Sequence, residues 1–179
     1  RDTYIPYDPK LIPDIDKAIE LIINGIKENK KFAIYGDYDV DGVTATTVLV
    51  DALRKISANV IYHVPDRFSE GYGMNLEIVK KLHEDDVDII ITCDCGIANF
   101  DEIDLAKSLG MTVVLTDHHN IGDAIPNADV VVNLQLLPEG HKARAVSGCA
   151  TAYYLVKALY EKLNIDGADD YLDLVALIS

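Results

Sequence analysis

Three carboxylates stand at alternate positions in the stretch Asp37–Gly42 (DYDVDG), directly after a short apolar run. Carboxylates this close repel one another unless cations lie between them. Their oxygen atoms are the ligands that Mg²⁺ and Mn²⁺ prefer. Because the stretch lies between two apolar segments, a solvated acidic turn is the less favoured interpretation. The spacing therefore predicts a metal site that involves Asp37, Asp39 and Asp41.

An EF-hand calcium loop has the same opening pattern, D-x-D-x-D-G. Counted from Asp37, its twelfth position is Val48 rather than Glu, and the residues after Gly42 (VTATTVLV) are typical of a core helix. We therefore exclude an EF-hand. Gly42 is expected to allow a tight turn into that helix, whose N-terminal N–H groups favour a bound phosphate. This predicts a substrate contact at Gly42.

A second cluster, Asp117-His118-His119, follows another apolar run. Adjacent histidines are often only a surface pair, but a carboxylate beside them changes the expectation. A metal-binding imidazole usually donates its second N–H to a carboxylate or carbonyl, and neighbours in this segment meet that need. Asp94 follows a third apolar run and precedes Cys95-Gly96. We expect it to bind metal, although an Asx-turn or a helix N-cap also explains an Asp there.

Short β-branched runs alternate along the chain with longer amphipathic segments. Such runs are typical of strands buried on both faces, and the alternation favours parallel βαβ units. The predicted strands are Phe32–Tyr35, Val60–Val64, Ile89–Thr92, Val113–Thr116 and Val130–Val132. The predicted helices are Ile15–Glu28, Val43–Ser57, Asn75–Glu84, Phe100–Leu109, Gly148–Leu163 and Asp169–Ile178. The predicted fold class is α/β, a three-layer αβα arrangement with a mostly parallel sheet of about five strands and helices on both faces.

Each predicted strand is followed by polar residues. In open parallel sheets, ligand sites gather at the carboxyl ends of the strands. The residues at these ends are Asp37–Asp41, Asp66 with Arg67, Asp94, Asp117–His119 and Asn133. The sheet is therefore expected to bring the two motifs and Asp94 to one edge.

The chain has 179 residues and a formal net charge of −14. Such acidity repels nucleic acid and argues against a classical DNA-binding module, but not against an enzyme that holds phosphate through bound metal ions. The three cysteines, Cys93, Cys95 and Cys149, lack disulfide or zinc spacing and indicate a reducing, cytoplasmic setting. No apolar run is long enough for a transmembrane helix, so no membrane partner is expected.

Together, the motifs DYDVDGVTA, TCDCGI and TDHHN closely resemble those of the DHH phosphoesterase superfamily. Val64–Arg67 with Glu70–Gly73 (EGYG) is similar to a marker of the bacterial RecJ single-strand exonuclease group within it. Ser147–Ala150 resembles the start of the helix that follows the fifth strand. The resemblance runs from about Tyr7 to the last residue, and the motifs are specific as a set.

The resemblance implies a ligand role for five of these residues. Asp39 and Asp41 correspond to ligands of two ions, which Asp94 bridges. His118 corresponds to a ligand of one ion, and Asp37 to a ligand or its immediate neighbour. The implied ions are two Mn²⁺ or Mg²⁺.

Three further residues are expected to take part in catalysis. His119 corresponds to the residue beside the scissile phosphate or leaving group, and Asp117 to one that orients a histidine. Arg67 is expected to bind the substrate and stabilise charge on its phosphoryl oxygens. The implied chemistry is phosphodiester hydrolysis, in which two metal ions clamp the phosphate and activate the attacking water.

The sequence departs from the family pattern at two places. Tyr35 stands where some members have a metal-binding His, which predicts that one ion is held weakly. The family's fourth motif adds an Asp shortly after a run like Leu172–Leu177, and the sequence ends at Ser179 before that position. Residues 1–179 are therefore expected to form a DHH-type catalytic domain without its last metal-binding motif and its second domain.

The function that the resemblance implies is a RecJ-like 5′→3′ exonuclease on single-stranded DNA. DNA-repair partners are expected to bind through regions outside this sequence. Two alternatives stay open: a DHH phosphodiesterase on short oligonucleotides or cyclic dinucleotides, and an inactive scaffold derived from such an enzyme. The negative charge favours small substrates, whereas the stretch Asp66–Gly73 favours the exonuclease.

Overall fold

A computed structural model describes residues 7–178. Residues 1–6 and Ser179, which belong to the predicted domain 1–179, lie outside the described residues. The strands are β1 (Lys31–Tyr35), β2 (Asn59–His63), β3 (Ile89–Thr92), β4 (Thr112–Asp117) and β5 (Val130–Asn133). Every neighbouring pair is parallel, in the order β2-β1-β3-β4-β5. The predicted parallel sheet of five strands is confirmed.

Helices cover both faces of this sheet. They are α1 (Ile15–Lys27), α2 (Val40–Lys55), α3 (Leu76–Glu84), α4 (Phe100–Ser108), α5 (Gly148–Leu163) and α6 (Leu172–Ile178). Because side chains alternate along a strand, Phe32 and Ile34 of β1 pack in one core with α1, α2 and α5. Ala33 and Tyr35 pack in a second core with α3 and α4. The three-layer αβα arrangement is therefore confirmed. Within residues 7–178, no helix has both the length and the apolar composition that a membrane span needs.

Two helix starts differ from the sequence prediction by more than one residue. Helix α2 begins at Val40 rather than Val43, because Oδ1 of Asp39 accepts a hydrogen bond of 2.8 Å from the N–H of Gly42 and caps the helix. The second half of the acidic stretch is thus the first turn of a helix, not a loop. Near the other end of the chain, the predicted helix from Asp169 is divided into a 3₁₀ turn (Ala168–Tyr171) and α6.

The strand order places a crevice at the carboxyl ends of β1 and β3. From β1 the chain first crosses to β2 on one side and then to β3 on the other, so the connections after β1 and β3 diverge there. Ligands of parallel α/β sheets bind at such switch points. The first turn of α2 also meets the first turn of α5 at this edge, where Asp41 accepts hydrogen bonds from the N–H groups of Gly148 and Cys149. The fold thus brings residues about 107 positions apart into the same site.

Candidate metal centre

Acidic and histidine side chains from three strand ends converge at this edge. Two groups of potential ligands have their ligand atoms within 4.8 Å of one another. One consists of Asp94, His118 and His119, and the other of Asp37, Asp39 and Asp94. Asp94 belongs to both groups. The arrangement therefore has the form of two adjoining cation sites that share one carboxylate.

Asp37 and Asp94 are buried carboxylates, only 1% and 2% exposed. Oδ1 of Asp37 has no hydrogen-bond partner among the described residues, and Oδ1 of Asp94 faces Nε2 of His118 at 3.0 Å. Burial raises the pKa of both groups, that of Asp94 to about 6. A buried carboxylate oxygen without a partner is costly, and a divalent cation is a partner that hard oxygen ligands favour. The donor set therefore fits Mn²⁺ or Mg²⁺.

The ring of His118 is held in the orientation that a metal ligand requires. Its Nδ1 lies 2.9 Å from the carbonyl oxygen of Val146, which can only accept, so Nδ1 carries a proton. Nε2 then faces the carboxylates, 3.0 Å from Oδ1 of Asp94 and 3.6 Å from Oδ2 of Asp41. Its hydrogen bond with Asp94 raises the pKa of His118 to about 9. A bound divalent ion would replace the proton on Nε2.

His119 is oriented by a buried carboxylate. Its Nδ1 lies 2.7 Å from Oδ1 of Asp117, and this contact raises the pKa of His119. Oδ1 of Asp117 also accepts from the N–H groups of His118 and His119, and Oδ2 from that of Ile97. Although burial opposes ionisation, these hydrogen bonds hold the pKa of Asp117 below its usual range. Asp117 therefore orients the partly exposed His119 through Nδ1, and its catalytic role stays a prediction.

Asp39 and Asp41 have other tasks besides any role as ligands. Asp39 caps α2 through Oδ1. Both oxygens of Asp41 accept backbone hydrogen bonds from the first turn of α5, at 2.7 and 2.8 Å, so a metal ion would use their remaining lone pairs. Gly42 is buried and its N–H is bonded to Asp39. The substrate contact expected at Gly42 and the ligand role of Asp41 stay predictions.

Comparison with known proteins identifies the family. The model of the DHH family, N-terminal domain, matches residues 31–177. The chain belongs to the DHH family. This DHH chain is 38% identical over 171 residues to the single-stranded-DNA-specific exonuclease RecJ of Bacillus subtilis, covering 96% of the chain and 21% of that relative. It is 35% identical to the exonuclease of the same name from Escherichia coli, covering 91% of the chain and 30% of that relative.

Solved structures agree with this assignment. The crystal structure of exonuclease RecJ bound to manganese has a TM-score of 0.85 to the DHH chain at 34% identity, covering 92% of this chain and 42% of that one. The structure of RecJ in complex with Mn²⁺ from Thermus thermophilus has a TM-score of 0.79 at 31% identity, covering 92% and 23%. The DHH chain spans about a fifth to a third of the length of the curated exonucleases named RecJ that it matches.

Arg67 lies at the rim of the DHH site and not among the ligands. It is exposed, and its guanidinium lies over the ring of Tyr38, 5.5 Å from the ring centroid. The turn that carries it is closed by the side chain of Asp66, which accepts from the N–H groups of Phe68 and Ser69. No described contact joins Arg67 to the carboxylates of residues 7–178. Its role toward substrate stays a prediction.

The structure adds supporting residues that the sequence did not reveal. The hydroxyl of Tyr72 lies 3.4 Å from the ring nitrogens of His119. The side chain of Asn133, which was expected only at this edge of the sheet, donates to the carbonyl oxygen of His119. The side chain of Gln135 donates to the carbonyl oxygen of His118. The similarity of Glu70–Gly73 to the RecJ group was the only sequence signal for Tyr72.

Proposed function

We propose that this DHH chain holds the catalytic metal ions of an exonuclease that degrades single-stranded DNA from the 5′ end. The observation that carries the proposal is Asp94, a buried carboxylate that belongs to both groups of potential ligands and lies 3.0 Å from Nε2 of His118. The similarity to proteins named single-stranded-DNA-specific exonucleases supports this substrate. The setting we propose is DNA repair and recombination in the cytoplasm.

The residues divide into ion holders and substrate contacts. Asp94 and His118, together with Asp37, Asp39 and Asp41, would hold two Mn²⁺ or Mg²⁺ ions. Complexes of RecJ with Mn²⁺ and with Mg²⁺ support these cofactors. When bound, such ions supply Lewis-acid stabilisation of the phosphoryl oxygens and a water of lowered pKa. These carboxylates supply the negative charge that attracts the ions, and the tautomer of His118 leaves Nε2 free to bind one of them.

His119 and Arg67 would act on the substrate phosphate. Because Asp117 binds Nδ1 of His119, the other nitrogen of that ring, which lies 3.4 Å from the hydroxyl of Tyr72, would contact the substrate. A protonated Nε2 there donates a hydrogen bond to a phosphoryl or leaving-group oxygen. Arg67 brings a cation to the rim, where a neighbouring phosphate of a polymeric substrate would pass.

A competing proposal is a DHH phosphodiesterase that acts on short oligonucleotides or cyclic dinucleotides. The observation in its favour is the formal net charge of −14, which opposes the binding of a long polyanion. A short substrate carries fewer phosphates past the acidic surface. The two proposals share the metal centre and differ in what the rim binds.

The test compares substrates in the intact protein that carries this chain. With Mn²⁺ present, initial rates are measured on a 5′-phosphorylated DNA single strand, on its duplex, and on a dinucleotide. We expect the single strand to be preferred, with mononucleotides released from the 5′-labelled end first. Asp94→Asn serves as the inactive control and Asp104→Asn, on the exposed face of α4, as the active one. A preference for the dinucleotide, or release from the 3′ end, would reject the proposed activity.

A further inference from the structure

Three residues at the start of α5 contact the side chains of two potential metal ligands, which lie in two other parts of the chain. The carbonyl oxygen of Val146 accepts from Nδ1 of His118, at 2.9 Å. The N–H groups of Gly148 and Cys149 donate to the two oxygens of Asp41, at 2.8 and 2.7 Å. The segment Val146–Cys149 therefore fixes an imidazole that follows β4 and a carboxylate on α2 at the same time.

Gly148 also controls the space available to Asp94. A Cβ atom built on Gly148 would lie 2.4 Å from Oδ1 of Asp94 and 2.6 Å from its Cβ and Cγ. Real Cβ atoms do not approach other heavy atoms this closely, so a side chain at this position and the present carboxylate exclude each other. Gly148 is not among the described residues with positive φ. Close approach, and not backbone conformation, is therefore what requires a glycine here.

Neither partner in this contact has room to withdraw. Asp94 has a φ of 61° in a buried turn between Cys93 and Cys95, both 0% exposed. Helix α5 is buried along most of its length, its start is capped by Ser147, and Tyr160 bonds to the backbone of α2. A methyl group at Gly148 would thus displace the Asp94 carboxylate or break the hydrogen bonds to Asp41.

The geometry points to Gly148 as a positioning residue of the metal centre. Because Gly148 has no side chain, the Asp94 carboxylate has room to lie 3.0 Å from Nε2 of His118. The N–H of Gly148 also donates a hydrogen bond to Asp41. The inference rests on the proposed function, because it treats these three side chains as ligands. Gly148 itself binds neither metal nor substrate in this account.

The first experiment is a calorimetric Mn²⁺ titration of the metal-stripped intact protein. We expect Gly148→Ala to weaken Mn²⁺ binding about 10- to 100-fold, as the loss of supporting contacts around metal ligands does. The matched control is Gly25→Ala on α1, where an added Cβ meets side-chain atoms of Ile89 and Phe32 at 2.5 and 2.8 Å, away from the site. It should lower the melting temperature and leave Mn²⁺ affinity unchanged. Equal Mn²⁺ affinity in Gly148→Ala and the wild type would overturn the inference.

A second experiment needs no metal and covers the case in which Gly148→Ala folds poorly. Denaturant unfolding is measured for Gly148→Ala in the wild-type and in the Asp94→Ala background. Because Asp94→Ala removes the atoms that the methyl group meets, the destabilisation by Gly148→Ala should largely disappear there. The same destabilisation in both backgrounds would reject the contact. If the wild-type protein binds no Mn²⁺, the proposed function and the inference are both rejected. If the wild type is active and the Gly148→Ala variant binds Mn²⁺ with the same affinity, only the inference is rejected.

Discussion

Two regions of the site differ sharply in how firmly they are held. The buried wall, formed by Asp94, Asp117 and His118, lies at the ends of β3 and β4 and is fixed by backbone hydrogen bonds and close packing. The rim segment, Asp66–Gly73, follows β2 and is mostly exposed, with Phe68 97% and Tyr72 54% exposed. Its own turn is closed locally by Asp66.

This difference matches two separate physical demands. Like charges are brought together and kept from water only where surrounding structure fixes their geometry, which is what electrostatic catalysis requires. A surface that contacts a flexible polymer gains from exposed aromatic rings and a cation, on which bases stack and phosphates pair. We therefore expect changes in the buried wall to affect metal binding and turnover, and changes in the rim to affect substrate affinity.

The largest effect is expected for Asp94→Asn in the buried wall. The amide keeps the size of the side chain but removes the charge that both groups of ligands share, so kcat/KM should fall about 1,000-fold. Steady-state kinetics and Mn²⁺ calorimetry measure the loss, and circular dichroism checks that the fold persists. Asp104→Asn should retain full activity. Two intact Mn²⁺ sites in Asp94→Asn would contradict the bridging role.

The Asp117→Asn variant should distinguish the orientation of His119 from the binding of metal ions. The amide no longer supplies the charge that pairs with His119, so kcat should fall about 10- to 100-fold. Mn²⁺ affinity should change little, because Asp117 is outside both groups of potential ligands. Calorimetry and kinetics on the same preparation make the comparison. A parallel loss of metal affinity would show that Asp117 supports the ions directly.

The pH dependence of metal binding tests the ion pair inside the buried wall. In the metal-free protein the pKa of His118 is raised to about 9 by its hydrogen bond with Asp94. Since the folded-state pKa is above the ordinary value of about 6.5, the stabilisation that protonated His118 contributes is fully present below about pH 6.5 and is lost as pH rises through 9. The pKa of Asp94, about 6, sets the lower limit of the ion pair. The Mn²⁺ ion competes with that proton, so its affinity should rise by up to about tenfold per pH unit in this window. Calorimetry at several pH values measures the slope, which His118→Gln should reduce.

The smallest effect is expected at the rim, for Phe68→Ala. The ring is 97% exposed, so its removal should change the free energy of unfolding by less than about 0.5 kcal/mol. Loss of base stacking should raise KM for single-stranded DNA about fivefold and leave kcat unchanged. Rates on a dinucleotide serve as the internal control. A fall in kcat with constant KM would show that the rim segment affects turnover, and would contradict the proposed difference between the rim segment and the buried wall.

The sequence by itself determined the sheet and its helices, and it predicted which candidate site residues lie at one edge of that sheet. Continuous β-branched runs predicted the five strands. The rule that parallel strands have their carboxyl ends at one edge predicted, from the sequence alone, that Asp37, Asp94 and His118 lie close together. The start of α2 was the main local error. An Asp at position 39 is able to cap a helix or remain in a loop, and only the observed hydrogen bond to Gly42 distinguishes the two.

Only the tertiary structure decided how the ligands are held. The bonds from Gly148 and Cys149 to Asp41 join residues more than 100 positions apart, and the carbonyl of Val146 has no sequence signature at all. Local sequence patterns indicate which side chains of a helix or strand are buried, because apolar residues recur along each element with its own period. The approach of one glycine to one carboxylate depends on where the start of α5 lies relative to the turn after β3, and the sequence showed the start of α5 but not what it contacts.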